Sequence, residues 1–388
     1  MKALGFVAMI IGLVAASAAG SILGDGSIVL ALAPALALAV LYAVGKLPLR
    51  YPLFGLTFLV LTLENPSEAP ADGLWKSPLY NVGALLLTHW NLTSNHKWMI
   101  FSGVDIALVS FLAIGIYRWL TRSPVDLRGH IASAAPLRMF LVLTLAAAGC
   151  MWIYGMAQGG ADVASSLWQV QRVVYLPIFC FVFLAALRDH QDRVTLGKIF
   201  IAAACIKSVL AIYIRATVPP PPGAAVLEYA TMHEDSMLFA GAFCLLITPL
   251  FEKFDARRAR TCLVLLPLLL AGMVANHRRL VWVELLSALV VIFALTPWTR
   301  TKRSICRGFV LASPLALPYI AIGWGSSSSI FSPVETIRSV VDSDADASTA
   351  WRDWENYDLF YTIRQHPIFG VGYGHGYTEI VKLPDISQ

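Results

Sequence analysis

Several ionisable residues stand where an apolar chain has least reason to place them. Arg172, Arg215 and the adjacent pair Arg278-Arg279 fall at the edges of long hydrophobic runs, and His233, Glu234 and Asp235 stand together just before another. A guanidinium makes bidentate, charge-assisted hydrogen bonds to phosphate oxygens and stays charged even when half buried. If helix ends bring these residues together, four guanidiniums would face one pocket suited to a pyrophosphate at a membrane surface. A single arginine at a helix end is also accounted for by snorkelling to lipid headgroups. The Arg278-Arg279 pair has almost no loop into which it could escape.

Other residues could take part. Lys207 and Glu284 lie inside hydrophobic runs, where an ionisable group is costly unless it is paired or sits in a wet cavity; they could line the site, but an ion pair between their two helices is the favoured expectation. His233 could act as a base or simply be a polar loop residue, and Glu234 and Asp235 would raise its affinity for a proton if close. Near the C-terminus, Arg352 and Trp354 precede His366, Gly370, Gly372, Gly374 and His375. Glycines at alternate positions allow sharp bends and close approach to a ligand.

The elements that position these residues follow from composition. Of 388 residues, 57% are hydrophobic and 14% charged. Soluble domains carry about 25% charged residues, so this chain cannot cover a water-facing surface. The apolar blocks are of about 15–20 residues, enough to cross a hydrocarbon core of ~30 Å at 1.5 Å per residue, and too long for barrel strands. An all-α polytopic membrane protein of about eleven transmembrane helices is expected, with spans near 3–20, 27–45, 51–63, 101–120, 139–157, 170–187, 199–216, 237–251, 261–275, 280–298 and 308–324. Residues 1–324 then form the transmembrane domain. Within it, residues 64–100 carry Trp75, Trp90 and Trp98 around the run Leu79–Leu87, a pattern suited to a helix in the membrane interface. Residues 325–388 form a polar segment with a serine run and the acidic Asp342, Asp344 and Asp346.

Orientation follows from charge. With the N-terminus inside, most of the 29 lysines and arginines fall in cytoplasmic connections, consistent with the positive-inside rule. The residues of interest then lie on the opposite face. Lys2 and the stretch Ala15-Ala16-Ser17-Ala18-Ala19 could mark a signal peptide, but the apolar runs that follow at once favour an uncleaved first helix. The net charge of +5 sits in these short loops and signals membrane lipids rather than nucleic acid. Six cysteines lie one per segment without a CxxC pair, so neither a disulfide framework nor a zinc site is supported, and no P-loop marks a nucleotide cofactor.

These motifs together resemble the O-antigen ligase and polymerase family of membrane glycan-transfer proteins. Arg352, Trp354 and "HPIFGVGYGHG" look like its "R…W…PxxGxGxG" element in the large periplasmic loop. Arg278-Arg279 leading into "LVWVELLSALVVIF" is similar to its short "SR" turn, with Arg279 aligned to the family arginine and no serine before it. The entry "YATMHEDSMLFAGAFCLL" is similar to its "pN…A" helix start. The resemblance spans roughly residues 150–380. It implies a GT-C-like, metal-independent glycosyltransferase of the bacterial inner membrane, with its C-terminal segment in the periplasm. The donor would be an undecaprenyl-diphosphate-linked glycan and the acceptor a lipid, glycan or protein. Arg279 and Arg352 would be catalytic, with Arg172, Arg215 and Arg278 on the diphosphate. His233, Glu234, Asp235 and the three glycines would support them. The family's histidine downstream of the glycine element has no counterpart before Gln388, so the chain is expected to be a piece of a longer protein; His366 and His375 are the local substitutes. A transporter or flippase component and a non-catalytic envelope scaffold are the competing expectations.

Overall fold

The computed structural model describes residues 12–19, 22, 34–35, 47–63, 80–89, 101–121, 135–219, 230–252, 255–278, 280–326, 331, 334, 338 and 347–382. The expected span 27–45, most of the interfacial segment 64–100 with its three tryptophans, Arg279 and the acidic run 342–346 lie outside them, apart from residues 34–35 and 80–89. Among the described residues the regular secondary structure is all helical, without strands. We number the helices α1 (Arg50–Thr62), α2 (Tyr80–Leu87), α3 (Gly103–Leu120), α4 (Ala135–Ala157), α5 (Val163–Ala186), α6 (His190–Thr217), α7 (His233–Glu252), α8 (Ala256–Asn276), α9 (Leu280–Leu295), α10 (Arg300–Gly323) and α11 (Ala347–Gln365).

Five of them are long and apolar enough to cross a membrane, namely α4 from Pro136, α5, α6, α7 up to Phe251, and α8. A sixth results if the two arms of α10, Lys302–Gly308 and Ser313–Gly323, form one span bent by 53°. Pro314 and Pro318 stand inside that helix, each removing a backbone donor and crowding the preceding turn. The protein is therefore membrane-embedded. Helices α1 and α9 are apolar but have 13 and 16 residues. At 1.5 Å per residue they reach about 20–24 Å, short of a ~30 Å core.

Local chemistry starts several of these helices. Asp255 caps α8 by accepting from the Arg257 amide at 3.1 Å, and the Thr299 hydroxyl caps α10 through the Lys302 amide. Ser102 and Asp105 satisfy each other's amides at the start of α3, at 2.7 and 3.3 Å. Such caps replace the partners that the first turn of a helix lacks. Helix α5 begins seven residues before the expected 170, because Asp162 accepts from the Ser165 amide at 2.8 Å and from its hydroxyl.

The Ser165 hydroxyl, then its backbone amide, hold the Asp162 carboxyl below its ordinary value. A lowered carboxylate contributes helix-start stability that is present above its unfolded pKa of about 3.9 and is lost as pH falls through the folded value. Protection of the Ser165 amide against hydrogen exchange, corrected for intrinsic rate, should therefore drop between pH 5 and pH 2. Asp162→Asn should remove that pH dependence; an equal drop in the variant would assign it elsewhere.

The chain forms two compact units. One comprises residues 1–138 and 178–206. Its core joins Leu49, Leu53 and Leu56 around α1 to Phe111 of α3 and to Val182 and Ala186 of α5. Arg50 meets Asp192 at 3.4 Å there, and Arg118 donates to the Leu47 carbonyl at 2.9 Å. The other unit comprises residues 139–177 and 207–388. In it α7 packs on α8 and α9, burying Phe239, Ala242, Leu269, Met273 and Val281. Gly272 of α8 lies against Ser208 of α6, where an added Cβ would stand 2.7 Å from the serine Cβ. Small residues of this kind let membrane helices approach closely. Met139, Phe140, Leu143 and Ile153 of α4 remain exposed, which suits a lipid-facing surface.

Candidate functional site

The second unit gathers polar residues at two places. The first joins α6, α7 and α8. Lys207, only 1% exposed, meets Asp235 at 3.2 Å, and both are buried. Beside them Asn276, fully buried at the end of α8, uses both ends of its amide. Its Oδ1 accepts from the Thr231 amide at 2.7 Å, and its Nδ2 donates to the Ser236 hydroxyl at 2.8 Å and the Met232 carbonyl at 3.2 Å. A buried amide with its donors and acceptor satisfied locks one geometry, because any shift leaves a polar group unpaired. Asn276 thus fastens the start of α7 to the end of α8.

The Lys207–Asp235 pair corrects the expected Lys207–Glu284 pair. Asp235 sits in the first turn of α7 against α6, whereas Glu284 is half-buried in α9. A buried ammonium needs a carboxylate within about 4 Å, and sequence carries no such distance. The triad His233, Glu234 and Asp235 is split accordingly: the first two are exposed, the third is buried on Lys207. Beyond Asn276, His277 adopts a left-handed φ of 56° and its amide closes α8 on the Met273 and Val274 carbonyls. This turns the chain sharply and leaves Arg278 half-buried beside the start of α9. Arg279 is outside the described residues.

Arg215 is half-buried in the last turn of α6, where a cation is favoured by the helix dipole. Arg172 stands on an exposed face of α5, its guanidinium 3.7 Å from the centre of the Trp168 ring one turn earlier. That stack is the arrangement of a snorkelling arginine over an interfacial indole. Arg172 is held there by its own helix rather than by the Asn276 cluster.

The second place is the glycine loop 366–376. It begins where α11 ends, with the Gly370 amide donating to the His366 carbonyl at 3.0 Å. Gly370, Gly372 and Gly374 have φ of 62°, 76° and 91°, a region closed to most side chains. The loop lies directly on the α4–α5 connection. A Cβ on Gly372 would stand 2.5 Å from the Cα of Gly155. The Gly374 amide donates to Gln169 Oε1 at 2.9 Å, and its carbonyl accepts from the Asp162 amide at 3.0 Å. Nearby, the Trp152 indole donates to the Ser166 hydroxyl at 3.1 Å, joining α4 to α5.

This docking orients His375, whose Nε2 lies 3.0 Å from the Gly155 carbonyl oxygen. A carbonyl only accepts, so Nε2 carries the hydrogen, and in the neutral ring Nδ1 keeps its lone pair. His375 is half-buried, whereas His366 and Arg352 are exposed. Behind the loop, the chain returns along α11. Asp358, fully buried, accepts from the Ile380 and Val381 amides at 3.0 and 3.1 Å, and the Thr362 hydroxyl accepts from the Thr378 amide at 2.9 Å. Burial, with the carboxylates of Glu355, Glu379 and Asp358 around it, pushes the Tyr377 phenol up, so it stays a neutral donor.

Gly155, Gln169, Asn276 and Asp358 were not foreseen as site residues. The only available signs were a glycine late in an apolar helix, and an asparagine immediately before a basic turn. Among the described residues, no group of three or more His, Cys, Asp or Glu is placed to hold a metal ion. No protein-family model, curated protein or solved structure matches the chain.

Proposed function

We propose that the protein transfers or polymerises an oligosaccharide from a polyprenyl diphosphate carrier onto a lipid, glycan or protein acceptor, as O-antigen ligases and polymerases do. The complete transmembrane domain has about eleven spans in a GT-C-like arrangement, and the reaction takes place at the periplasmic face of the bacterial inner membrane. The observation that carries this reading is the docked glycine loop, which leaves His375 with an oriented lone pair at the end of two spans. This reading takes the α4–α5, α6–α7 and α8–α9 connections to lie on one side, as alternation of crossing helices requires, so that Arg215, Arg278 and Arg279 would face the loop.

The chemistry then needs few parts. His375 Nδ1 takes the proton of the acceptor hydroxyl as its oxygen attacks the anomeric carbon with inversion. The glycosyl–diphosphate bond breaks, and Arg279 with Arg278 stabilises the negative charge that builds on the departing phosphate. Arg352, brought in by α11, and Arg215 add to that field, and Arg172 on its tryptophan meets the carrier at headgroup level. The cellular test is Arg279→Ala and His375→Ala, scored for glycan linkage and length. Each variant should insert at normal level and lose transfer, His375→Ala by about 10²–10⁴-fold if it removes a general base. Normal linkage and length in both would refute the assignment.

One observation favours a transporter or flippase component instead, the buried Lys207–Asp235 pair within the spans. The double variant Lys207→Met with Asp235→Leu decides between them, because it removes both charges while leaving no buried charge unpaired. A transporter would stop moving its cargo, whereas the enzyme would keep its transfer.

A further inference from the structure

Helix α11 buries two polar side chains and exposes large apolar ones. Asp358 and Thr362 are buried on its inward side, on the amides of residues 378–381. Its outward side carries Trp354, Tyr357 and Tyr361, spaced at i, i+3 and i+7, together with Phe360 and Ile363, all exposed. At the end of the helix, Ile368 and Phe369 are 82% and 62% exposed. In water such a surface is an unfavourable one. Trp and Tyr, however, are the side chains enriched at the headgroup level of bilayers, where one edge is apolar and the other wet. Arg352, Asp353, Asn356 and Arg364 are exposed as well, so these rings sit among polar groups, as on a helix at the wet edge of a bilayer.

The depth of this surface is set independently. The Phe369 ring lies 5.9 Å from that of Tyr154, in the last turn of the span Pro136–Ala157 and next to the exposed Ile153. Gly374 is bonded to Asp162 and Gln169 at the start of the span Val163–Ala186. The turn that ends α11 is therefore pinned at the membrane-facing ends of two crossing helices, and its apolar side chains continue their lipid-exposed surface.

We propose that α11 and the Ile368-Phe369 turn form a membrane-interface contact, with Trp354, Tyr357, Tyr361 and Phe369 at the headgroup level of the bilayer that α4 and α5 cross. The occupant of this surface is lipid, and α11 runs along the membrane rather than out into water. This holds whatever reaction the protein performs.

The test uses the full chain in phospholipid nanodiscs, its six cysteines replaced by alanine, with a single environment-sensitive fluorophore at Tyr357→Cys, Phe369→Cys or Glu379→Cys. Glu379 is exposed in the segment that packs on the inward side of α11, away from its aromatic surface. Lipids carrying a nitroxide near the headgroup should quench the labels at 357 and 369 at least threefold more than the label at 379. Aqueous iodide should show the reverse order. Equal access of iodide to all three positions would mean that α11 projects into water, and would overturn the proposal. Protection at 357 and 369 from both quenchers, with cross-links between labelled copies, would overturn it in favour of a second copy. Two independent label positions keep the result readable if one variant misfolds.

Discussion

Gly372→Ala should release the glycine loop from the end of α4, raising hydrogen exchange at the Asp162 and Gly374 amides by about two to three orders of magnitude. Two costs combine at this position. A side chain at φ 76° is strained by about 1–2 kcal/mol, and the new Cβ would stand 2.5 Å from the Gly155 Cα, 2.7 Å from its nitrogen and 3.2 Å from the Tyr154 ring. Overpacking against backbone adds about 1–3 kcal/mol, because neither chain can rotate aside as a side chain would. About 3–4 kcal/mol corresponds to the stated change at 1.4 kcal/mol per decade. The neighbouring glycines supply a graded control. Gly370→Ala carries only the strain of φ 62°, since nothing lies within 4 Å of its Cβ position, and should raise exchange about tenfold. Gly376→Ala meets open space without a positive φ and should change nothing. Equal exchange in Gly372→Ala and Gly376→Ala would show that the close approach to Gly155 does not hold the loop. In the proposed reaction His375 takes its orientation from the same docking, so on that proposal transfer should fall in the order of exchange.

Lys207→Met and Asp235→Leu should each destabilise the α6–α7–α8 packing by about 3–5 kcal/mol, the cost of leaving one buried charge without its partner. The double variant should recover most of that loss, to within about 1–2 kcal/mol of the native chain, since replacing a buried pair by apolar groups of similar size is often close to neutral. Unfolding in mixed micelles, followed by far-UV circular dichroism, measures each corner of this cycle. Glu284→Gln is the control and should change stability little, because Lys207 does not use that carboxylate. Additive losses in the double variant would mean that the two residues act separately. The pair also bears on function. Asp235 opens α7 beside the residues that Asn276 holds, so its loss should loosen the turn that carries Arg278.

Membrane embedding and the all-helical class were legible in the sequence, since both depend on short-range properties. Among the described residues, five to six of the expected spans are long and apolar enough to cross. An apolar run reports its own preference for lipid, and Asp255, Thr299 and Asp162 start helices through amides two or three residues away. The α5 boundary shows the limit of reading apolar runs alone, as the capped start at Val163 includes polar residues that a hydropathy reading leaves out. The site was only partly legible. The alternating glycines were visible as a backbone able to bend, but the surface they meet was not.

What the sequence by itself determined is a helical membrane protein with basic residues and a glycine-rich loop at several of its helix ends. The tertiary structure decided which of these meet. Lys207 pairs with Asp235, 28 residues away, and Asn276 binds Thr231 across 45. Gly374 finds Gln169 across 205 residues, and His375 finds Gly155 across 220. Hydrogen bonds and ion pairs act over a few ångströms, so their partners are set by how helices pack and not by residue type or order. Residue types announce the charges and hinges that a chain possesses, and packing selects the partner that each one satisfies.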